Sequence, residues 1–357
     1  MASTVEDVNP PRVDGVNGHR EQLETRQLPP GLPGKPYVIS SQEGEIIYIP
    51  LSKSATRLLI TGKESENAFA VVSSGGSQSA PIGFHYHRET HDVFLCLSGS
   101  INVWAGEKCR TMRAGDFASV PPGTIHQYQI LGPHSEFIGL IVPGGWEEFF
   151  RHIGEPYGVL IPKLKQAAEK FDMVPCPQHQ QFDPQEWEDA DSQLPGKPES
   201  YFLKNASGPA FEIGGSVCRP LVTTAESHRK FAIGSIEGSA QHHQHAIFAK
   251  PGLCMRFDEV HHAFQVTEGS VEFHIDASAP SRIVAGDVIF VPKGTAFRFQ
   301  STSRFSKLYV FASGGGLIEV LCKVGKGHAS PILPEKAEGC NMRALEALQS
   351  GYGFSLC

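Results

Sequence analysis

The chain of 357 residues is 40% hydrophobic and 19% charged, which excludes a chain that is disordered throughout and leaves enough apolar material for a sizeable core. Its net charge of −7 comes with no basic stripe, so nucleic acid is not expected as a partner. No apolar run approaches the roughly 20 residues that a membrane span needs.

The N-terminal segment, residues 1–34, is rich in proline, glycine and charge, and we expect a flexible arm there. It begins with a polar, acidic stretch that lacks the basic and apolar regions of a secretory signal. Eight cysteines are scattered along the chain without a CxxC pair. Together these features predict a cytoplasmic protein whose thiols are free and buried.

From Tyr37 onward, short apolar runs alternate with turn signals at intervals of roughly 8 to 12 residues, which is typical of β-sandwiches and barrels. Residues 35–145 are therefore predicted to form an all-β domain. The predicted strands are Glu45–Pro50, Arg57–Thr61, Ala68–Val72, Asp92–Leu97, Ile101–Ala105, Asp116–Val120, Gln127–Leu131 and Phe137–Val142.

Helical periodicity then replaces the strand pattern. Trp146–Ile153 and Leu160–Phe171 are predicted helices, and residues 146–200 are interpreted as a helical connector and linker. Strand-like runs resume at residue 201 and continue to about residue 324, so residues 201–330 are predicted to form a second β domain. The tail, residues 331–357, contains a short predicted helix that starts near Asn341.

An internal repeat indicates that the two β domains are related. Ala114–Asp116 recurs as Ala285–Asp287, an offset of 171 residues. At the same offset, Val120–Thr124 recurs as Val291–Thr295. Because the matches occur in order and at turns, they indicate a duplicated fold.

The first copy carries a set of residues suited to metal binding. His85 and His87 are two positions apart at the start of a predicted strand, so their side chains project from the same face. Asp92 opens the next strand, and His126 follows a tight turn. Three imidazoles and one carboxylate suit a single divalent transition metal, with coordination positions left for substrate or O2.

Two neighbours of Asp92 compete for a role in this site. Glu89 could act as a ligand or a base; otherwise it is a solvated acid paired with Arg88. His91 is adjacent to Asp92 in a strand and therefore points to the opposite face.

These residues carry a resemblance to a known family. The segments Gly83–Gly99 and Gly115–His126 resemble the two cupin motifs. Within the cupins, the duplication with a helical connector is similar to fungal quercetin dioxygenases, with Gly145–Arg151 and Gly214–Leu221 as supporting segments. The resemblance covers about residues 35–330 and implies two cupin domains, each a double-stranded β-helix or jelly roll.

The same resemblance implies a chemistry for the site. His85, His87, His126 and Asp92 would hold one divalent ion of copper, iron, manganese or nickel, and the reaction would cleave a flavonol with O2 and release carbon monoxide. In quercetinases the acidic residue is a glutamate that is thought to act as both ligand and base. Asp92 has a shorter side chain, so it could be a ligand, a base or a hydrogen-bond acceptor for a ligand histidine.

The second copy has different residues at the matching positions. Met255 and Phe257 stand where the paired histidines would be, His262 where the acid would be, and Phe297 where the last histidine would be. We therefore expect a degenerate, metal-free cupin whose pocket is filled by a core. The nearby histidines at 242, 243 and 245 are outside the motif register and are interpreted as surface residues.

The predicted function is a metal-dependent, quercetinase-like dioxygenase, an oxidoreductase that acts on a small aromatic or phenolic substrate with O2. Asp92 and Glu89 are the candidate catalytic groups, and such an acid could remove the substrate proton provided that apolar surroundings raise its pKa. One alternative is an O2-independent cupin lyase, decarboxylase or cyclase acting on a phenolic, polyketide-like metabolite, in keeping with a role in secondary metabolism. The other is a non-enzymatic, small-molecule-binding bicupin. Many cupins pair through strand edges, so a homodimer is a further hypothesis.

Overall fold

A computed structural model describes residues 22–50, 52–154 and 170–357. The first barrel combines a seven-stranded and a five-stranded sheet. Its strands are β3 (Glu45–Ile49), β4 (Ser54–Ile60), β5 (Ala70–Gly76), β6 (His85–Tyr86), β7 (His91–Ser98), β8 (Ser100–Ala105), β9 (Lys108–Arg113), β10 (Phe117–Val120), β11 (His126–Ile130) and β12 (Ser135–Val142). All eight strands predicted for this unit are present.

The second barrel combines a nine-stranded and a five-stranded sheet. Its strands are β15 (Phe211–Ile213), β16 (Ser216–Val222), β17 (Phe231–Gly238), β18 (Met255–Phe257), β19 (His262–Glu268), β20 (Ser270–Ile275), β21 (Ser281–Val284), β22 (Val288–Val291), β23 (Ala296–Ser301) and β24 (Ser306–Ser313). The fold is thus mostly β, with two jelly-roll units.

The remaining elements connect or cover the barrels. The strands are β1 (Thr25–Arg26), β2 (Tyr37–Ile39), β13 (Val174–Pro175), β14 (Tyr201–Leu203), β25 (Lys326–Gly327) and β26 (Phe354–Leu356). The α-helices are α1 (Glu148–Ile153), α2 (Gly316–Val324) and α3 (Met342–Tyr352), and two 3-10 turns span Asp189–Ser192 and Ala240–His242. Among the described residues, no helix is long and apolar enough to cross a membrane.

Two strands, one before each barrel in sequence, pair with the other barrel. β2, near the start of the chain, pairs with β22 of the second barrel, and β14, after the connector, pairs with β10 of the first barrel. The pairing therefore crosses the domain divisions predicted at residues 34/35 and 200/201. A shared apolar core with Phe69, Leu140, Phe231 and Phe311 fills the space between the barrels.

The repeated Ala-Gly-Asp segment holds each exchanged strand. Oδ1 of Asp116 accepts the N–H of Asn205, just after β14, at 2.7 Å, and Oδ1 of Asp287 accepts the N–H of Ser41, just after β2, at 3.0 Å. Gly115 has a φ of 89° and passes so close to Asn205 that a Cβ atom would collide with it. The sequence repeat thus marks the two junctions between the barrels.

Three details differ from the sequence-based expectations. Residues 316–324 form helix α2 instead of extending the strand pattern, because Leu317, Ile318 and Leu321 pack on the core of the second barrel. Part of the predicted flexible arm is ordered, since Leu23 is buried in the same core and β1 pairs with β2. The predicted helix at 160–171 lies outside the described residues as far as residue 169.

The cysteines also differ in part from the prediction. Cys254, next to β18, forms a disulfide with Cys357 at the end of the tail. The other six are free thiols, and four of these are buried. Because β26 also pairs with β18, the end of the chain is fastened to the second barrel by both a covalent bond and strand pairing.

Candidate metal centre

Three histidines meet inside the first barrel. His126 on β11 is paired directly with His85 on β6, and His87 follows one residue after β6. Their ring centroids are 4.4 to 5.3 Å apart, and one nitrogen of each ring lies within 4.8 Å of the others. All three side chains are buried, so the same-face spacing predicted from sequence produces a compact cluster.

Backbone carbonyls set the orientation of all three rings. The Nδ1 atoms of His85 and His126 donate to the carbonyls of Gly83 and Thr124, each at 2.9 Å. Nδ1 of His87 donates to the carbonyl of Asp172 at 2.8 Å. With Nδ1 as the donor, Nε2 of each ring points into the cluster, and in its unprotonated form this nitrogen is the atom that a metal ligand needs.

Asp92 on β7 completes the group. Its Oδ2 lies 3.2 Å from Nε2 of His87 and 3.5 Å from Nε2 of His126. Those two nitrogens and Oδ1 of Asp92 are buried and have no hydrogen-bond partner in the part of the chain that the structure describes. Buried polar atoms without partners cost free energy unless something else satisfies them, and a divalent cation would satisfy all three. The donor set therefore fits one transition-metal ion.

The charged groups of the centre shift one another's pKa values. Burial would lower the pKa of His87, but Asp92 and the carbonyl of Asp172 outweigh it and raise that pKa. Burial alone would raise the pKa of Asp92, but the neighbouring His87 and His126 outweigh it and hold that pKa below its usual range. Burial, reinforced by the other two histidines, holds the pKa of His85 well below its usual value. Asp92 is therefore ionised and His85 neutral, whereas the sequence reasoning required a raised carboxyl pKa for a base.

The two competing candidates lie elsewhere. Glu89 is exposed in the turn after His87, outside the cavity lining, and its backbone N–H donates to Oδ2 of Asp172 at 2.8 Å. His91 points to the opposite face of β7, as strand alternation predicts: its Nε2 is 2.8 Å from Oγ of Ser119, and its ring packs on Phe231 of the second barrel. Burial lowers the pKa of His91 to about 3.

An apolar cavity of about 270 Å³ opens beside the cluster. His85, Asp92 and His126 form part of its wall. Its aromatic lining residues are Phe84, Phe94, Tyr128, Phe137, Trp146, Phe149 and Phe150. The last three of these come from α1 and the turn before it, and the Trp146 ring packs 4.8 Å from that of His87. A planar aromatic molecule could therefore reach the metal position in a largely dry environment.

One part of the cavity wall is polar. Ser52, Ser74 and Tyr128 line it with hydroxyl groups. Oγ of Ser52 is 2.6 Å from Oγ of Ser54, and Oγ of Ser74 is 2.9 Å from Oγ1 of Thr56. Tyr128 lies two residues after His126 on β11, so both side chains face the barrel interior. This hydroxyl cluster offers hydrogen-bonding groups in an otherwise apolar cavity.

The second barrel is packed at the matching positions. The exposed fraction is 1% or less for each of the four residues at these positions, Met255, Phe257, His262 and Phe297. Nε2 of His262 accepts the N–H of Leu317 in α2 at 3.1 Å, so this histidine serves packing and helix attachment. Of the other candidates, His243 and His245 are exposed, and His242 donates from Nε2 to the carbonyl of Pro334 at 3.0 Å.

Comparison with known proteins agrees with this fold. Residues 71–155 match the family model described as the cupin domain. A variant of oxalate decarboxylase of Bacillus subtilis has the same fold, with a TM-score of 0.50 at 16% identity, over 78% of this chain and 77% of that one. The chain has the bicupin fold.

Two curated relatives of the bicupin are enzymes. It is 27% identical over 348 residues to quercetin 2,3-dioxygenase of Aspergillus japonicus, covering 84% of the bicupin and 95% of that protein. It is 33% identical over 151 residues to quercetin 2,3-dioxygenase of Bacillus subtilis (strain 168), covering 42% of the bicupin and 44% of that protein. The resemblance to fungal quercetinases seen in the sequence therefore extends over most of the chain.

Sequence reasoning missed one residue of this centre. Asp172 of the connector supplies the carbonyl that accepts the Nδ1 proton of His87. It lies 85 positions from that histidine and contributes through its backbone, so no side-chain motif signals it. The strand β13, which pairs with β6, brings Asp172 to the bicupin's centre.

Proposed function

We propose that the bicupin is a metal-dependent dioxygenase of the quercetinase type, which cleaves a flavonol or a related enolisable aromatic with O2. The observation that carries this proposal is the cluster of three histidines with Asp92, placed in the wall of an aromatic-lined cavity. The similarity to two quercetin 2,3-dioxygenases supports it.

His85, His87, His126 and Asp92 would hold one ion of copper, iron, manganese or nickel. Such an ion supplies a Lewis-acid position for an enolate oxygen and for O2. Held by neutral imidazoles and a single carboxylate, a divalent ion would leave the centre with a net positive charge, which favours an anionic substrate. The donor set accepts several first-row metals, so metal content has to be measured.

Asp92 is the group placed to handle the substrate proton. Its carboxylate has two oxygens, so one would ligate the ion while the other would accept a proton from a substrate hydroxyl. Its low pKa makes it a weak base, so the transfer requires a substrate hydroxyl that is itself acidified when bound. Glu89 is exposed and does not enter this proposal.

The cavity would bind and orient the substrate. Aromatic side chains from α1 and from the barrel strands pack around a planar ring system and exclude water from the reacting end. The hydroxyls of Ser52, Ser74 and Tyr128 provide partners for ring substituents. Polyhydroxylated flavonols match both properties.

The test uses the purified protein reconstituted separately with copper, iron, manganese and nickel. Quercetin is added, and loss of its visible absorbance is followed together with O2 uptake and carbon monoxide release. We expect one O2 consumed and one carbon monoxide released per flavonol. The absence of turnover with all four metals would overturn the proposal.

Two further arms separate the alternatives. Turnover under strict anaerobiosis would point to the lyase, decarboxylase or cyclase. Tight binding of the flavonol with no turnover and no stoichiometric metal would point to a binding protein. The exchange His243→Ala, at an exposed position in the second barrel, serves as the matched control for histidine variants of the centre.

A further inference from the structure

We propose that Asp172 is a positioning residue for the metal ligand His87, and that it makes metal affinity depend on the docking of the connector against the first barrel. This inference concerns metal binding and needs no substrate, so it can fail or succeed independently of the proposed dioxygenase activity.

The three ligand histidines differ in how their rings are held. His85 and His126 each donate from Nδ1 to the carbonyl of the residue two positions earlier, which is a local contact within the barrel. His87 instead donates to the carbonyl of Asp172, 85 positions further along the chain. The orientation of His87 therefore depends on a segment outside the barrel.

The side chain of Asp172 fixes this carbonyl in place. Its Oδ1 accepts the N–H of Arg88 at 3.0 Å, and its Oδ2 accepts the N–H of Glu89 at 2.8 Å. These are the two residues that directly follow His87. One residue thus holds the imidazole of His87 with its backbone and the adjoining turn with its carboxylate.

The backbone of Asp172 is in the left-handed region, with a φ of 52°. Asparagine, aspartate and glycine adopt this region more readily than other residues. The conformation turns the carbonyl and the carboxylate toward the same histidine segment. Asparagine and glycine substitutions therefore keep the backbone conformation accessible, and they isolate the contribution of the carboxylate.

Loss of the carboxylate should weaken metal binding. Groups that hydrogen-bond a ligand histidine commonly change metal affinity by about 10- to 100-fold when they are removed. Because binding free energies are reciprocal, metal binding must also strengthen the docking of the segment around Asp172. The strand β13 pairs with β6, and the N–H of Cys176 donates to the carbonyl of Phe84 at 2.7 Å, so this amide reports docking.

The experiment compares full-length Asp172→Asn, Asp172→Gly and Asp172→Ala proteins with the parent, using Co²⁺ as the metal probe. Co²⁺ affinity is measured by competition with a chelator, and its visible absorption reports coordination geometry. We expect the glycine and alanine variants to bind Co²⁺ about 10- to 100-fold more weakly, with altered absorption, and the asparagine variant to be intermediate. Glu186→Ala, an exposed acid of the connector, should match the parent.

Hydrogen exchange provides the reciprocal measurement. In the parent, Co²⁺ should slow exchange at the amide of Cys176, and this slowing should be lost in Asp172→Gly. Denaturant unfolding without metal identifies any variant that does not fold. If Asp172→Ala does not fold, the asparagine and glycine variants alone test the proposal. Parent-like affinity and absorption in Asp172→Gly would overturn the proposal, and so would unchanged exchange at Cys176 in the metal-loaded parent.

Discussion

His126 on β11 stands directly opposite His85 on β6, with their ring centroids 4.4 Å apart. The pair joins the two sequence motifs of the first barrel across neighbouring strands. His87 and Asp92 then close the group from one side. The candidate metal centre is therefore a property of the folded barrel, and removal of any one of these side chains is expected to weaken metal binding.

Metal content tests the role of His126. His126→Ala removes one of three nitrogen ligands and leaves a small void, so bound metal should fall from one equivalent to well below one after dialysis. Elemental analysis of the dialysed protein measures this. His243→Ala should retain the parent's metal content. If both variants retained a full equivalent, the cluster would not be the binding site.

Asp92 is tested by a change that keeps its shape. Asp92→Asn removes the negative charge and the proton-accepting oxygen, so we expect weaker metal binding and a loss of turnover of about 10²- to 10⁴-fold. Steady-state kinetics at saturating metal separates the two effects. Asp189→Asn, on the exposed surface of the connector, is the control. Parent-like kinetics in Asp92→Asn would exclude Asp92 from both roles.

Tyr128 is expected to contribute to substrate selection. Tyr128→Phe removes one hydroxyl from the polar part of the cavity wall, and a lost hydrogen bond of about 1 kcal/mol corresponds to roughly a fivefold rise in KM. The rise should appear for polyhydroxylated flavonols and be small for flavonols without ring hydroxyls, while kcat stays similar. Equal effects on both substrate types would argue against a hydrogen bond to the substrate.

The second barrel should make stability sensitive to acid. Burial lowers the pKa of His262 to about 3 from the ordinary histidine value of 6.5. As the pH falls, His262 is protonated in the unfolded chain below about pH 6.5 but in the folded chain only near pH 3. The free energy of unfolding therefore decreases as the pH is lowered from about 6.5 to about 3.

Denaturant titrations of the metal-free protein at several pH values measure this effect. His262→Asn should lower stability at neutral pH, because it leaves a void between Phe257 and Phe297, yet it should flatten the pH dependence. His243→Asn should keep the parent's slope. A slope unchanged by His262→Asn would show that other groups dominate acid unfolding.

Local patterns in the sequence predicted much of the fold and which candidate ligands lie together. Strand alternation places His85 and His87 on one face and turns His91 away, and the Ala-Gly-Asp repeat correctly indicated two related units. Other features depend on tertiary contacts. The polar strand β9 has too few apolar residues to be recognised from sequence. The segment that forms α2 has a strand-like apolar run, and only its packing against the core distinguishes it as a helix.

The remaining features had no local signal at all. Neither exchange of a strand between the barrels nor the contact of Asp172 with His87 can be inferred from spacing, because each partner lies far away in sequence. The low pKa of Asp92 likewise arises from two histidines whose proximity only the fold creates. The sequence pattern alone suggested an apolar environment, which would raise the pKa of this carboxyl group.

The strand exchange restricts how the protein can be divided. A fragment ending at residue 200 would lack β14 and leave the backbone of β10 without one of its neighbours, while the apolar face shared with Phe231 and Phe311 would be exposed to water. The half that carries the candidate metal centre is therefore not a self-sufficient module. The second barrel, although its own pocket is filled, acts as the structural support without which the first barrel would tend to aggregate.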